Sequence, residues 1–306
     1  MKQPLTKSSQ VVLASGQVVT ANACENQDLF FAIRGGGPST YGVVVSTTIK
    51  AWPTTNVATQ VFGFAPLTPK NTPDFMSAVN LMYQSYPSLL DAGFNGYGAW
   101  SIYSPQPVAE GTPPSLTNYT TVFLHTVALF GKTAAQAESL FAPTAAKLAK
   151  YNGTSLFFTN KFYDSPDYAT YYKRFSGVVT PVGTTAALGS RLLDRQALLG
   201  NTTTLKTAVT AIAGAPEQAT SNNLILVGGN SSQIWADKKD PYSGLNPAWR
   251  EMYIHNVVAR GWLPGSDDAT IQGVYDDITN VKVKALKTLA PATGSYMNEV
   301  SIANST

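Results

Sequence analysis

The sequence predicts an α+β fold in which one antiparallel sheet carries helices on one face and leaves the other face free to cover a ligand. Strand-like and helix-like segments alternate through the middle of the chain, which is the pattern expected of such a sheet. The chain has 306 residues and is 44% hydrophobic, which is enough for two domains with cores of their own. The net charge of +3 is spread along the chain, so a nucleic-acid partner is not expected.

The first fifty residues predict a β-hairpin, a short helix, a glycine loop and a strand, in that order. Residues 11–14 and 18–21 flank the turn dipeptide Ser15-Gly16, and an amphipathic helical turn leads into Gly35-Gly36-Gly37. Glycine is favoured where a side chain cannot be accommodated, as where a large cofactor lies against the main chain. The run by itself is also acceptable as a simple turn.

The remaining elements follow from periodicity and from capping residues. Predicted strands cover residues 59–64, 97–103, 119–130, 155–160, 186–193, 224–227 and 253–262, and predicted helices begin at Thr72 and cover residues 133–151, 165–175 and 203–212. The long segment from Ser266 has a helical apolar stripe that ends at Pro291, and this stripe is predicted to belong to the core.

Two separated motifs resemble one known family. Asn26, Asp28, Leu29, Phe30, Ala32, Arg34 and Gly35 to Gly37 fill the pattern Asn-x-Asp-Leu-Phe-x-Ala-x-Arg-Gly-Gly-Gly. The order resembles the closing part of the FAD-binding domain in berberine bridge enzyme-like flavoproteins, within the vanillyl-alcohol oxidase group of FAD-linked oxidoreductases. A second match runs from Asn246-Pro247-Ala248-Trp249-Arg250 to Tyr296-x-Asn298-Glu299. It is similar to the carboxy-terminal segment of the same family. The resemblance extends to the secreted fungal members of the family.

The resemblance implies a division of the chain. Residues 1–53 correspond to the closing part of a PCMH-type FAD-binding domain, residues 54–240 to the substrate domain, and residues 241–306 to a shortened carboxy-terminal segment. In the family, a diphosphate-binding loop and the flavin-linking His and Cys precede this region, so a partial chain is expected. Cys24, His125 and His255 do not occupy the sequence context of a flavin attachment site.

The resemblance also implies the cofactor and the site residues. FAD is expected to lie beside Gly35, Gly36, Gly37, Tyr41, Gly42, Val43 and Val44, which would offer backbone groups to it. Tyr296 is the expected catalytic acid, base or hydrogen-bond donor, and Asn298 should lie with it at the flavin edge; a core tyrosine is the alternative for Tyr296. Val227 and Gly228 end the strand expected to lie over the flavin beside the substrate. Because Leu226 and Val227 are apolar, a carboxylate base from this strand is doubtful.

We therefore expect an FAD-dependent oxidoreductase that acts on a CH–OH or related carbon of an alcohol, sugar or secondary metabolite, with molecular oxygen as a plausible acceptor. No metal-binding, acyl-transfer or phosphoryl-transfer motif is present in the sequence, so a cofactor must supply the reactivity. Two alternatives stay open: an inactive fragment or one chain of a split flavoenzyme that needs an amino-terminal partner, and a secreted carbohydrate-binding glycoprotein. The sequence alone does not say which of Tyr97, Trp100, Tyr119 and Arg191 faces a substrate.

An extracellular location is expected although the sequence shows neither a signal peptide nor an apolar run long enough to span a membrane. Glycosylation sequons begin at Asn118, Asn152, Asn201, Asn230 and Asn304. About three or four would arise by chance in a chain this rich in Ser and Thr, so the secreted family members are the stronger argument. Asn230 follows the strand that should border the substrate, and a glycan there would conflict with that role.

Overall fold

The computed structural model describes residues 6–36, 41–103, 120–175, 185–216, 218–232, 235 and 240–299. The strands in these ranges are β1 (Thr6–Val12), β2 (Val18–Asn22), β3 (Val43–Ile49), β4 (Val57–Pro66), β5 (Asn95–Ser101), β6 (Val122–Phe130), β7 (Leu156–Ser165), β8 (Ala186–Asp194), β9 (Thr220–Leu226) and β10 (Met252–Gly261). The α-helices are α1 (Gln27–Ile33), α2 (Thr72–Asp91), α3 (Ala134–Leu148), α4 (Tyr168–Phe175), α5 (Arg195–Leu199), α6 (Thr202–Ile212), α7 (Asp268–Asp277) and α8 (Lys284–Leu289).

A small sheet forms the amino-terminal module, with strand order β2-β1-β3 and antiparallel pairing. Helix α1 closes one face of it, where Phe30 packs against Val11 and Ala21. Strand β3 is an edge strand of this sheet, and all seven of its residues are exposed. Its outer backbone edge therefore has no strand partner among the described residues.

The large sheet has seven antiparallel strands in the order β7-β4-β6-β5-β9-β10-β8. Alternate residues such as Phe64, Trp100 and Leu224 face the helices, because successive side chains of a strand point to opposite faces. Helices α2, α3, α6 and α8 contribute to the same buried cluster. The predicted architecture, one antiparallel sheet with helices on one face, is confirmed.

We call the opposite face of the seven-stranded sheet the open face. One row across it, set by the strand register, runs Lys161, Val61, Thr126, Tyr97, Ile225, His255 and Leu192. Helix α4 lies over the β4 and β7 side of this face, and its Tyr168 stacks on Phe130. Tyr97, in the middle of the row, is 67% exposed.

The structure differs from the sequence prediction in several elements: β7 continues to Ser165 beyond the predicted end at residue 160, and helix α5 was not predicted. Strand β9 begins at Thr220, four residues before the predicted start, since Asn222 is buried and its amide donates to the Ile212 carbonyl at 2.9 Å. The single helix predicted beyond Ser266 is interrupted by a π-helical segment, Ile278–Val283, which places Lys282 in the interior beside Asp277. Tyr119 lies outside the described residues. Among the described helices, none combines the length and the apolar character required to cross a membrane.

Candidate active site at the open face

The glycine loop lies beside a cavity of about 430 Å³. The cavity lies between the end of α1, the β1–β3 pair and a later loop, and it is lined by Thr6, Ser9, Ile33, Arg34, Gly35, Val44, Thr47, Ser243 and Leu245. Of the predicted FAD-contacting residues, Gly35 and Val44 therefore border one cavity. Gly37 lies outside the described residues.

The glycines of this loop are required by the packing of the protein itself. Gly35 has φ +93°, and a Cβ added there would lie 2.9 Å from Cα of Leu245. A Cβ at Gly36 would collide with the Ala32 carbonyl oxygen, and one at Gly42 would lie 2.7 Å from the Val12 carbonyl oxygen. The absence of side chains thus has a cause within the fold, whereas contact of these residues with FAD stays a prediction.

Tyr41, Val43 and Val44 are exposed around the start of β3, and Val44 lines this cavity. Apolar β-branched side chains rarely occupy both faces of a strand that is open to solvent. The same segment offers the free backbone edge of β3, so peptide N–H and C=O groups are available to a ligand or to another strand.

Tyr296 is held by a group that we call the Tyr296 cluster, which consists of Trp249, His255, Tyr296, Asn298 and Glu299. The Tyr296 ring makes T-shaped contacts with Trp249, at a centroid distance of 5.6 Å, and with His255, at 5.8 Å. The Asn298 side-chain amide donates to the Tyr296 hydroxyl oxygen at 2.8 Å. The two residues of the predicted Tyr-x-Asn pair are therefore in direct contact.

The electrostatics of the cluster depend on burial. His255 is buried, and desolvation lowers its pKa to about 4. Burial raises the pKa of the Glu299 carboxyl, which lies 3.5 Å from His255 Nδ1. At neutral pH the imidazole is accordingly neutral, and Glu299 Oε2 lies at that distance from its Nδ1 without forming a hydrogen bond.

A larger cavity, of about 1000 Å³, opens at one end of the sheet. It is lined by Trp52, Pro53, Thr54, Thr55, Asn95, Phe130, Tyr168, Ala169, Val227, Ser231 and Ser232. No charged side chain is among these lining residues. Val227 borders this cavity, the position predicted for a substrate-contacting residue. Gly228 is buried, and a Cβ added there would collide with the Met252 carbonyl oxygen.

The glycine loop and the Tyr296 cluster are connected through residues 240–250. Gly244 N donates to the Phe31 carbonyl at 3.0 Å, and the segment then continues to Trp249, which packs on Tyr296. The cavity beside Gly35 does not have Tyr296 in its lining. A single ligand that spans both regions stays a prediction.

Three residues left undecided by the sequence are placed by the structure. Tyr97 lies on the open face, whereas Trp100 is buried on the helix side and donates to the Tyr83 hydroxyl at 3.1 Å. Arg191 is also buried and donates to the carbonyls of Ala290 and Pro291. His255 was missed as a site residue, and only its alternation along β10 could have placed it on the open face.

The three described sequon asparagines, Asn152, Asn201 and Asn230, are exposed. Asn201 caps α6 through hydrogen bonds that its side-chain oxygen accepts from the Thr203 and Thr204 amides. Asn230 is followed by Ser231 and Ser232, which line the large cavity. A glycan on Asn230 would therefore lie next to a ligand in the large cavity, where the two would compete for space. Asn118 and Asn304 lie outside the described residues.

The chain is similar in sequence to fungal flavoproteins. It is 40% identical over 295 residues to the FAD-linked oxidoreductase hmp9 of Hypomyces subiculosus, covering 95% of this chain and 45% of the relative. It is 35% identical over 302 residues to the FAD-linked oxidoreductase apf9 of Gibberella fujikuroi, covering 97% of this chain and 49% of the relative. No family model matches the chain.

The solved structures that resemble this chain also include flavoproteins. The VAO-type flavoprotein MtVAO713 of Myceliophthora thermophila superposes with a TM-score of 0.87 at 36% identity, over 97% of this chain and 50% of its own. The chain is a homologue of the VAO-type FAD-linked oxidoreductases. BBE-like 1 of Physcomitrella patens, with a TM-score of 0.66 and 17% identity over 93% of this chain and 55% of its own, shares the fold.

The predicted family is therefore confirmed, and FAD is confirmed as the cofactor of that family. The chain spans about half the length of the curated relatives it matches.

Proposed function

We propose that this chain forms part of an FAD-dependent oxidoreductase that acts on a CH–OH or related carbon of a small molecule. The observation that carries the proposal is the exposed part of the open face around Tyr97, with a tyrosine–amide pair at its border. Tyr97 and His255 lie on one row of that face, two strands or about 10 Å apart, and Tyr296 packs on His255. An exposed sheet face beside a phenol suits the binding and oxidation of a small molecule.

FAD, when bound, would accept a hydride from the substrate carbon. The chain's own residues would then position the substrate and handle its proton. Because the Tyr296 oxygen already accepts a hydrogen bond from Asn298, its own O–H remains available to a substrate oxygen. Gly35, Gly36, Tyr41, Gly42, Val43 and Val44 would hold the cofactor through backbone groups, together with Asn298 at its edge.

The large cavity suits an uncharged substrate with aromatic or other apolar surface. Three aromatic side chains, Trp52, Phe130 and Tyr168, are about half exposed in its lining. The polar groups there are neutral amides and hydroxyls, such as those of Asn95 and Ser231. An alcohol, a sugar or a secondary metabolite each fits this description, and Val227 would contact it directly.

Molecular oxygen as the electron acceptor, secretion and N-glycosylation are further parts of this proposal. Several structural neighbours are named oxidases, including xylooligosaccharide oxidase of Myceliophthora thermophila, and three sequon asparagines are exposed.

A second candidate function is that of one chain of a split flavoenzyme that needs an amino-terminal partner. The exposed edge strand β3, with apolar Val43, Val45 and Ile49 in solvent, favours it. In that case the chain alone would bind little FAD, and the partner would supply the rest of the cofactor site.

Titration of the purified chain with FAD tests both candidates. A self-sufficient enzyme retains yellow colour, with absorbance at roughly 450 nm after desalting, because the bound isoalloxazine absorbs there. A split enzyme gains that absorbance only when the chain is co-expressed with the amino-terminal half of a relative such as hmp9. Absence of bound flavin under both conditions contradicts the proposed function.

A further inference from the structure

The two ring nitrogens of His255 have unlike surroundings. Nδ1 lies 3.5 Å from the Glu299 carboxylate, whereas Nε2 is buried and has no hydrogen-bond partner among the described residues. A buried polar atom without a partner costs about 1–3 kcal/mol. A fold that keeps such an atom requires the ring for another reason.

The ring contacts indicate what that reason is. His255 packs on Tyr296 at an interplanar angle of 88° and on Trp249 at 63°, and Trp249 in turn packs on Tyr296 at 84°. Three mutually steep rings leave the phenol little freedom to rotate, and each such contact is worth about 0.5–1.5 kcal/mol. The orientation of the Tyr296 hydroxyl therefore depends on where the imidazole lies.

Glu299 connects the two ends of this arrangement. It lies in the same single helical turn as Asn298, and its backbone N–H donates to the Tyr296 carbonyl at 3.0 Å. Its Oε2 atom lies 3.5 Å from His255 Nδ1 and, like His255 Nε2, makes no hydrogen bond to a described residue. A small movement of either group would let the ionised carboxylate accept the Nδ1 proton and fix the ring. One short segment thus reaches the phenol oxygen through Asn298 and the imidazole through Glu299.

We propose that His255 is a positioning residue for the Tyr296 phenol, and that Glu299 acts on Tyr296 through His255. The importance of this arrangement for oxidation rests on the proposed function. The arrangement itself does not, because it involves only residues of this chain.

The test uses the full chain with 3-fluorotyrosine placed at position 296 only, and ¹⁹F NMR at pH 7 without FAD. We expect a narrow resonance offset from that of the free amino acid. His255→Ala should remove most of the offset, while His255→Phe, which keeps an aromatic ring, should retain it. His125→Phe is the matched control, since His125 is buried on the other face of the sheet and should leave the resonance unchanged.

The contribution of Glu299 is resolved by a double-mutant comparison. Glu299→Ala should shift or broaden the resonance in the wild-type background and have no effect in the His255→Phe background. An equal shift in both backgrounds would show that Glu299 acts on Tyr296 directly, and an unchanged resonance in His255→Ala would remove His255 from the proposal. If His255→Ala does not fold, the comparison of Glu299→Ala in the wild-type and His255→Phe backgrounds still shows whether Glu299 acts on Tyr296 through His255. A chain that binds no FAD can pass this test, so the two proposals fail separately.

Discussion

Arg34 Nη2 donates to Asp240 Oδ2 at 2.6 Å, across 206 residues of sequence. The same guanidinium donates from Nη1 to the Tyr242 carbonyl at 2.7 Å, and only 12% of the Arg34 and 6% of the Asp240 side chain is exposed. This pair fastens the small sheet to residues 240–250, which lead to Trp249 beside Tyr296. The first sequence motif is therefore joined by an ion pair to the segment that leads into the second motif.

Replacement of Arg34 by Met should weaken that attachment strongly. It leaves the Asp240 carboxylate buried without its partner, so we expect a loss of about 3 kcal/mol in the free energy of unfolding, measured by urea denaturation. The control is Arg195→Met, because the Arg195–Asp91 pair is 56% and 25% exposed and should contribute no more than about 1 kcal/mol. Equal losses in the two variants would show that the Arg34 pair is not a structural attachment.

The glycine loop yields a second prediction. Gly36→Ala should lower the free energy of unfolding by about 1–3 kcal/mol in the absence of FAD, because the new Cβ collides with the Ala32 carbonyl oxygen. Gly273→Ala is the control, since Gly273 lies inside α7 with open space around it. This variant should be more stable than the wild type by about 0.5–1 kcal/mol. If Gly36→Ala were harmless to stability but abolished FAD binding, the cofactor alone would require this glycine.

These glycines show how far the sequence could be interpreted. The Gly35-Gly36 run indicated correctly that no side chain fits, but a sequence does not say whether a ligand or the neighbouring backbone fills the space. Leu245 and Ala32 fill it here. Alternation gave the strands and the helix-covered face, because burial of one face imposes period two.

The Tyr296 cluster was only half predictable. Tyr296 and Asn298 are two residues apart and were found by their motif, while the partnership of His255 with Tyr296 depends on the register of β10 against β8 and on the path of residues 290–299. Neither leaves a local signal in the sequence. The start of β9 was missed for a related reason, since Asn222 looks like a loop residue until its buried partner is known.

The proposed role of Tyr296 predicts a selective loss of turnover. In flavin-loaded protein, Tyr296→Phe should reduce kcat by roughly 10²–10⁴ if the phenol transfers or holds the substrate proton. Stability should change by no more than about 1 kcal/mol, since only the exposed hydrogen bond with Asn298 is lost. Tyr275→Phe, on the helix side beside Trp262, should retain full activity. Unchanged turnover in Tyr296→Phe would assign the tyrosine to the core instead.

The buried histidine His125 makes stability depend on pH. Gln60 directs its own amide to Asn160, so its oxygen faces His125 Nε2, and Nδ1 accepts from the Tyr86 hydroxyl. Burial lowers the pKa of His125 to about 3, whereas the unfolded chain titrates near 6.5. Between these pH values the unfolded state binds more protons than the folded state. The stability that the neutral His125 imidazole contributes is therefore fully present above pH 6.5, and as the pH falls it is lost at up to about 1.4 kcal/mol per pH unit.

His125→Leu should therefore flatten the decline of unfolding free energy between pH 7.5 and 5.5, by about 1 kcal/mol relative to the wild type. It should also destabilise the protein by about 1–3 kcal/mol at pH 7.5, because Gln60 and Tyr86 lose their partner. Tyr86→Phe removes one hydrogen bond but keeps the imidazole, so its decline with pH should match the wild type. Urea denaturation at the two pH values measures all three proteins, and an unflattened His125→Leu would mean that the titrating group lies elsewhere.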